Sequence, residues 1–160
     1  MSHKSLQDNA TSAMMLLDTV PGVLRRINAD ALQDTEALTD AGWREVSELR
    51  ARPGQLSLLR VLVEHERCTM QELADLLVVT PSTVTVMVKR LLAQGYVERS
   101  RDEVDWRTVW VKPTERGQQA VSVFVRRRLV SLQRRLEQLS EDERNSLIAA
   151  LPALRCLSEI

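Results

Sequence analysis

The sequence predicts a mainly α-helical fold with a small β wing: a winged helix-turn-helix core flanked by long N- and C-terminal helices. Three observations carry this prediction. Two short, capped helices follow one another between Thr69 and Gly95, a strand-like pair comes directly after them, and heptad-spaced apolar stripes run along both ends of the chain.

The stripes set the outer architecture. Leu6, Ala10, Ala13, Leu17, Val20, Leu24 and Ile27 recur at alternating spacings of four and three, one face of a helix interrupted or kinked near Pro21-Gly22. Val125, Leu129, Leu132, Leu136 and Leu139 repeat the pattern near the other end. Ser140 then opens a last helix, with Glu143 completing a capping box and Leu147, Ala150, Leu151 and Leu154 forming its apolar face. Either stripe would serve as intrachain core. A dimer interface is the preferred reading, because the compact middle of the chain is too small to bury both. Residues 30–50 read as helical, broken at Arg52-Pro53-Gly54, and Pro53 suits the first position of a helix carrying Leu56, Leu59, Leu62 and Val63. No linker or repeat divides the chain. The expectation is one domain over residues 1–160, with dimerisation helices at about 5–52 and 115–160 around a winged helix-turn-helix lobe at about 53–114.

Composition fits a packed protein, with 44% hydrophobic and 28% charged residues, enough apolar side chains for a core and enough charge for its surface. No apolar run approaches the roughly 20 residues a bilayer crossing needs, so no membrane partner is expected. The start Met1-Ser2-His3-Lys4 leads into mixed polar residues rather than an apolar signal core, and Cys68 and Cys156 make no disulfide framework. A cytoplasmic location follows as the expectation. Net charge is zero, yet Lys89 to Arg101 holds four basic residues and one acid, and Arg126 to Arg135 holds five arginines and no acid. Such local excess suits a salt-sensitive contact with a polyanion.

The central segment supplies the motif. Thr69 and Glu72 form a capping box for a short helix over Met70–Leu77. After Val78-Val79, Thr80 N-caps a second helix with Pro81 in its first turn, running to about Gln94 and stopped by Gly95. Val84, Met87, Val88 and Leu91 face inward toward Leu73 and Ala74. Two short helices joined by a tight turn make a helix-turn-helix, whose second helix reads the major groove with its N-terminal residues. Thr80, Ser82, Thr83 and Thr85 offer hydroxyls to bases or phosphates, Val86 a methyl face for thymine, and Lys89 and Arg90 phosphate contacts. An amphipathic helix with a merely solvated polar face would show the same pattern.

The following segment favours DNA. Tyr96–Arg101 and Thr108–Lys112 are strand-like and bracket a polar loop, with Arg101 joining the DNA-binding set. In that loop Asp105 and Arg107 lie two apart, so on extended backbone both side chains leave on one side. The carboxylate would then fix the direction of a guanidinium aimed at a narrow minor groove.

Gln55 to Gly117 resembles the core of the MarR (multiple-antibiotic-resistance regulator) family through Leu73-Ala74, Pro81-Ser82-Thr83-Val84-Thr85, Lys89-Arg90-Leu91, Gly95-Tyr96-Val97, Asp105-Trp106-Arg107 and Thr114-Glu115-Arg116-Gly117. The resemblance implies a homodimer built from the terminal helices, recognition helices in consecutive major grooves, wing arginines in flanking minor grooves and a pseudo-palindromic operator. It also implies repression relieved by a small lipophilic or aromatic ligand, or by oxidation. Two residues depart from the pattern. Val78 stands where a helix-turn-helix usually has Gly, and a β-branched residue resists positive φ. Trp106 replaces a basic residue, either packing under the wing, the preferred reading, or lying against the sugar-phosphate backbone.

For an inducer site Trp43, Arg25, Arg26 and Arg50 are candidates that spacing does not single out. Cys68, near His65 and Arg67, is the better redox candidate, whereas the family's peroxide-sensing branch uses an N-terminal cysteine that this chain lacks. His65 and Cys68 are too few for a metal site, and no metal or other cofactor is expected. No Ser/His/Asp constellation, phosphate-cradling glycine loop or recognisable carboxylate pair marks an enzyme. The alternatives are a winged-helix module that binds protein instead of DNA, and a cysteine-based redox-sensing regulator.

Overall fold

The computed structural model describes residues 3–33, 41–52, 54–102 and 105–159. Their order is α1 (His3–Gln33), α2 (Ala41–Ala51), α3 (Gln55–His65), α4 (Met70–Leu77), α5 (Pro81–Ala93), β1 (Val97–Arg101), β2 (Val109–Pro113), α6 (Glu115–Leu136) and α7 (Glu141–Glu159). The helix expected over 30–50 is α2 at its C-terminal end, and residues 34–40 within it lie outside the described residues. Pro53 and the side chain of Leu6 lie outside them too. The helix expected to start at Pro53 begins at Gln55, with Gly54 as its N-cap at φ 76°.

The chain forms two compact units, Asp34–Arg126 and Met1–Gln33 with Arg127–Ile160. In the unit made of the chain ends, α1 runs through Pro21 without interruption. The Ser131 hydroxyl donates to the Ile27 carbonyl at 3.1 Å, and Arg135 Nε donates to the Asp30 carboxylate at 2.6 Å, which ties α1 to α6. Ser140 and Glu143 form the expected capping box, with the Ser140 N–H donating to Glu143 Oε2 at 2.9 Å. Those amide and hydroxyl hydrogen bonds hold the Glu143 carboxyl below its ordinary pKa.

The central unit has its core where α2, α3, α4 and α5 meet the wing strands. Val46, Leu58, Leu59, Leu62, Leu73, Val84, Val88 and Leu91 are all buried there. The Thr69–Glu72 capping box starts α4, and the Thr80 side chain accepts from the Thr83 N–H to start α5, as their sequences predict. The two helix axes turn through 110°, which suits a helix-turn-helix.

The turn between them is a Schellman motif, in which the Val79 N–H donates to the Ala74 carbonyl at 3.0 Å and the Val78 N–H to the Asp75 carbonyl at 3.2 Å. It requires Val78 at φ 53°, ψ 48°, so the left-handed geometry forms in spite of the β-branched side chain. Val78 is 89% exposed and contributes little packing in return. Left-handed backbone costs an L-residue about 1–2 kcal/mol. Val78→Gly is therefore expected to stabilise the protein by about 1 kcal/mol, raising Tm by roughly 3 °C in a thermal melt. A lowered Tm would show that the side chain contributes in another way.

Strands β1 and β2 pair antiparallel, Arg99 opposite Val111 and Arg101 opposite Val109. Cys68 adds a third strand position by a two-way backbone bridge to Val111, at 3.0 and 2.8 Å. The chain before α4 thus anchors the wing, a role no local sequence pattern marks.

Candidate nucleic-acid interface

Helix α5 hides Val84, Met87, Val88 and Leu91 and exposes Ser82, Thr83, Thr85, Val86, Lys89 and Arg90. The outward residues follow one another at helical spacing, so a single face carries hydroxyls at its start, the Val86 methyls at its middle and two cations at its end. The hydroxyls are partly committed. Thr80 Oγ1 shares hydrogen bonds with Ser82 Oγ at 2.9 Å and with Thr83 Oγ1 at 2.8 Å, and the Thr85 hydroxyl donates to the Pro81 carbonyl at 2.9 Å. Thr80 and Thr83 thus shape the helix start, while Thr85 keeps its methyl and its oxygen lone pairs for a partner.

The wing loop lacks the extended backbone expected between Asp105 and Arg107. Asp105 Oδ1 accepts from the Arg107 N–H at 3.1 Å, Asp105 Oδ2 accepts from the Thr108 hydroxyl at 3.2 Å, and the Thr108 N–H donates to the Asp105 carbonyl at 2.8 Å. Asp105 therefore closes an Asx turn with Trp106 and Arg107 at its tip, instead of steering the guanidinium. Asp102 supports it from below: Oδ1 accepts from the Asp105 N–H at 3.0 Å and Oδ2 from the Trp110 indole N–H at 2.8 Å. Arg107 is exposed and Trp106 is 69% exposed, which corrects the expectation that the indole packs under the wing. It is Trp110 that packs, half-buried with the Arg67 guanidinium 4.4 Å over its ring. Arg99 and Arg101 project from β1, whereas Lys112 pairs with Glu98 at 3.0 Å.

A polar clamp holds the base of the wing. The Tyr96 hydroxyl and Arg116 Nε both donate to Glu45 Oε1 at 2.7 Å, Arg116 lies 4.6 Å over the Tyr96 ring, and Arg116 also donates to the Gln94 carbonyl. Partial burial alone would raise the Glu45 pKa, but these hydrogen bonds and the Arg116 charge outweigh it and bring it below the ordinary value. Burial, with the hydrogen bond to Glu45, pushes the Tyr96 phenol up. Because the Glu45 value is lowered in the fold, the clamp's contribution is complete above the ordinary carboxylate pKa and is lost as pH falls through the lowered one. Glu45 and Arg116 lie 71 positions apart, so no local pattern could have joined them.

The inducer and redox candidates fare differently. Trp43 is 3% exposed and belongs to the core. Cys68 is 2% exposed, and burial, helped by the Glu72 charge, pushes its thiol pKa up, the reverse of what a sensor cysteine needs. Among the described residues no group of three His, Cys, Asp or Glu side chains is placed to hold a metal ion.

Residues 52–109 match the profile of the MarR family. The chain is 30% identical over 122 residues to the HTH-type transcriptional regulator YfiV of Bacillus subtilis (strain 168), spanning 74% of this chain and 76% of that protein. Among solved structures it is similar to a MarR family protein from Bacillus stearothermophilus, with a TM-score of 0.70, 22% identity and coverage of 100% and 99% of the two chains. It is also similar to a point mutant of S. aureus MepR bound to an oligodeoxyribonucleotide, with a TM-score of 0.57, 23% identity and coverage of 86% and 96%.

Proposed function

This chain belongs to the MarR family of HTH-type transcriptional regulators, and on that premise we propose that it is a cytoplasmic repressor that binds a pseudo-palindromic operator as a homodimer and is released by a small lipophilic or aromatic ligand. The observation that carries the DNA contact is the exposed row Ser82, Thr85, Val86, Lys89 and Arg90 on α5, joined within the same compact unit to a hydrogen-bonded turn presenting Arg107. Ser82, Thr85 and Val86 read base edges in the major groove, and Thr80 and Thr83 set the helix start that carries them. Lys89, Arg90 and Arg101 neutralise phosphates. Arg107 enters the minor groove, with Asp105 shaping the turn beneath it.

The homodimer is supported by the apolar faces left open on the terminal helices. Met14, Leu17, Ile148 and Leu151 are each more than half exposed in the single chain, an arrangement that water penalises unless a partner covers it. In this reading the helices of the unit formed by the chain ends hold the dimer, and α2 and the start of α6 belong with the DNA-binding lobe centred on about 53–114. Cys68 burial counts against that residue as a redox sensor.

Selection of bound duplexes from a random pool, followed by affinity measured against salt, tests this reading. An enriched inverted repeat and a steep fall of affinity with salt are expected, and a flat salt response would sink it. On the selected duplex, Arg107→Ala is expected to weaken binding by about 1–3 kcal/mol with the dimer intact. Unchanged affinity in that variant would remove the minor-groove role.

A further inference from the structure

The wing tip presents an aromatic side chain that the charge contacts do not use. Of the three tryptophans, Trp43 is in the core and Trp110 is tied down by Asp102 and Arg67, but Trp106 stands out at 69% exposure. Its position is stiffened from both sides. The carboxylates of Asp102 and Asp105 together accept from the Asp105 N–H, the Arg107 N–H, the Thr108 hydroxyl and the Trp110 indole. A turn held this way presents Trp106 and Arg107 side by side at its tip.

Charge gives the second half of the argument. Residues 97–113 carry four basic side chains, Arg99, Arg101, Arg107 and Lys112, and four acidic ones, Glu98, Asp102, Glu103 and Asp105. The hairpin is thus neutral, and Lys112 is already engaged by Glu98. A neutral wing gains little from the long-range field of a polyanion, so a stable seat on DNA calls for a contact that does not depend on net charge. An exposed indole beside a guanidinium supplies one. The guanidinium suits the negative potential of the minor groove, while the flat indole covers deoxyribose C–H groups and the edge of a base step.

Resting on the operator-binding reading above, we propose that Trp106 is a DNA-contacting and specificity-determining residue, an apolar wedge that seats the wing against the sugar and base edges of the minor groove beside Arg107. This contact favours steps that open or unstack easily and is insensitive to salt, because no counterion is released when an indole binds.

The test uses the full-length protein and a duplex that the wild type has enriched from a random pool. Affinity is measured for wild type, Trp106→Ala, Trp106→Phe and Arg107→Ala between about 50 and 200 mM salt, with circular dichroism and sizing to confirm the fold and dimer. Trp106→Ala is expected to bind about tenfold more weakly with an unchanged slope of log affinity against log salt, while Trp106→Phe recovers most of the loss. Arg107→Ala should instead lower the slope by about one. Acrylamide quenching of tryptophan fluorescence gives a direct readout: the accessible component should be present in the free protein, absent in Trp106→Phe and protected by the duplex. Wild-type affinity in Trp106→Ala, or an indole still quenched freely in the complex, overturns the proposal alone. Protection that appears on concentrating the protein without DNA overturns it in favour of a protein contact. Failure of the wild type to bind any duplex overturns the operator-binding reading, and this proposal with it.

Discussion

Gly117→Ala is expected to destabilise the central unit by about 2–3 kcal/mol, the cost typical of overpacking a dense core. In an unconstrained helix the same change would stabilise by roughly 1 kcal/mol, because alanine is the better helix former. Position 117, in the first turns of α6, reverses the sign. A Cβ placed there would lie 2.2 Å from the Tyr96 carbonyl oxygen and 3.1 Å from Leu59 Cδ1. The oxygen is backbone and cannot rotate away. It also accepts the Thr114 N–H at 3.0 Å, and the Gly117 N–H donates to Thr114 Oγ1 at 3.2 Å. The helix start and the wing base would have to separate by about an ångström, loosening the Tyr96–Glu45–Arg116 clamp as well. Urea unfolding followed by circular dichroism checks this. A midpoint equal to or above that of the wild type would mean that α6 sits less tightly against the wing base than these distances require.

That close approach shows which parts of the fold could be read from sequence and which could not. The caps at Thr69, Thr80 and Ser140 each consist of a side chain and an amide two or three residues on, so local spacing specifies them completely. The inward face of α5 follows the same logic, since a 3.6-residue period places Val84, Met87, Val88 and Leu91 on one side whatever lies opposite. The wing was legible as two strands but not as a turn. Asp105 has two options, bonding its own loop or steering an arginine, and which one wins depends on Asp102 and Trp110 closing the loop from below. Val78 shows a different limit, because residue preference argues against a left-handed turn that α4 and α5 impose by crossing there. Glu45 on Arg116, and Cys68 on Val111, depend on long-range packing and leave no periodic trace.

Leu17→Glu should raise the dimer dissociation constant about a hundredfold or more, and with it abolish tight operator binding. In the single chain Leu17 is 75% exposed, on the same helix as Met14 at 68% and Val20 at 42%. If that face met only water, exchanging leucine for glutamate would change stability by no more than about 0.5 kcal/mol, and solubility would improve. Under the proposed dimer the same atoms are covered by a second copy. Burying a carboxylate without a partner then costs several kcal/mol, and two-fold symmetry places one in each protomer. The two readings thus differ by orders of magnitude in a single measurement, sedimentation across a concentration series, while circular dichroism shows whether the helices persist. A dimer unchanged by the substitution would move the interface off this stripe. A folded monomer that still bound the operator tightly would remove the reason for a palindrome, because one helix-turn-helix reads only one half-site.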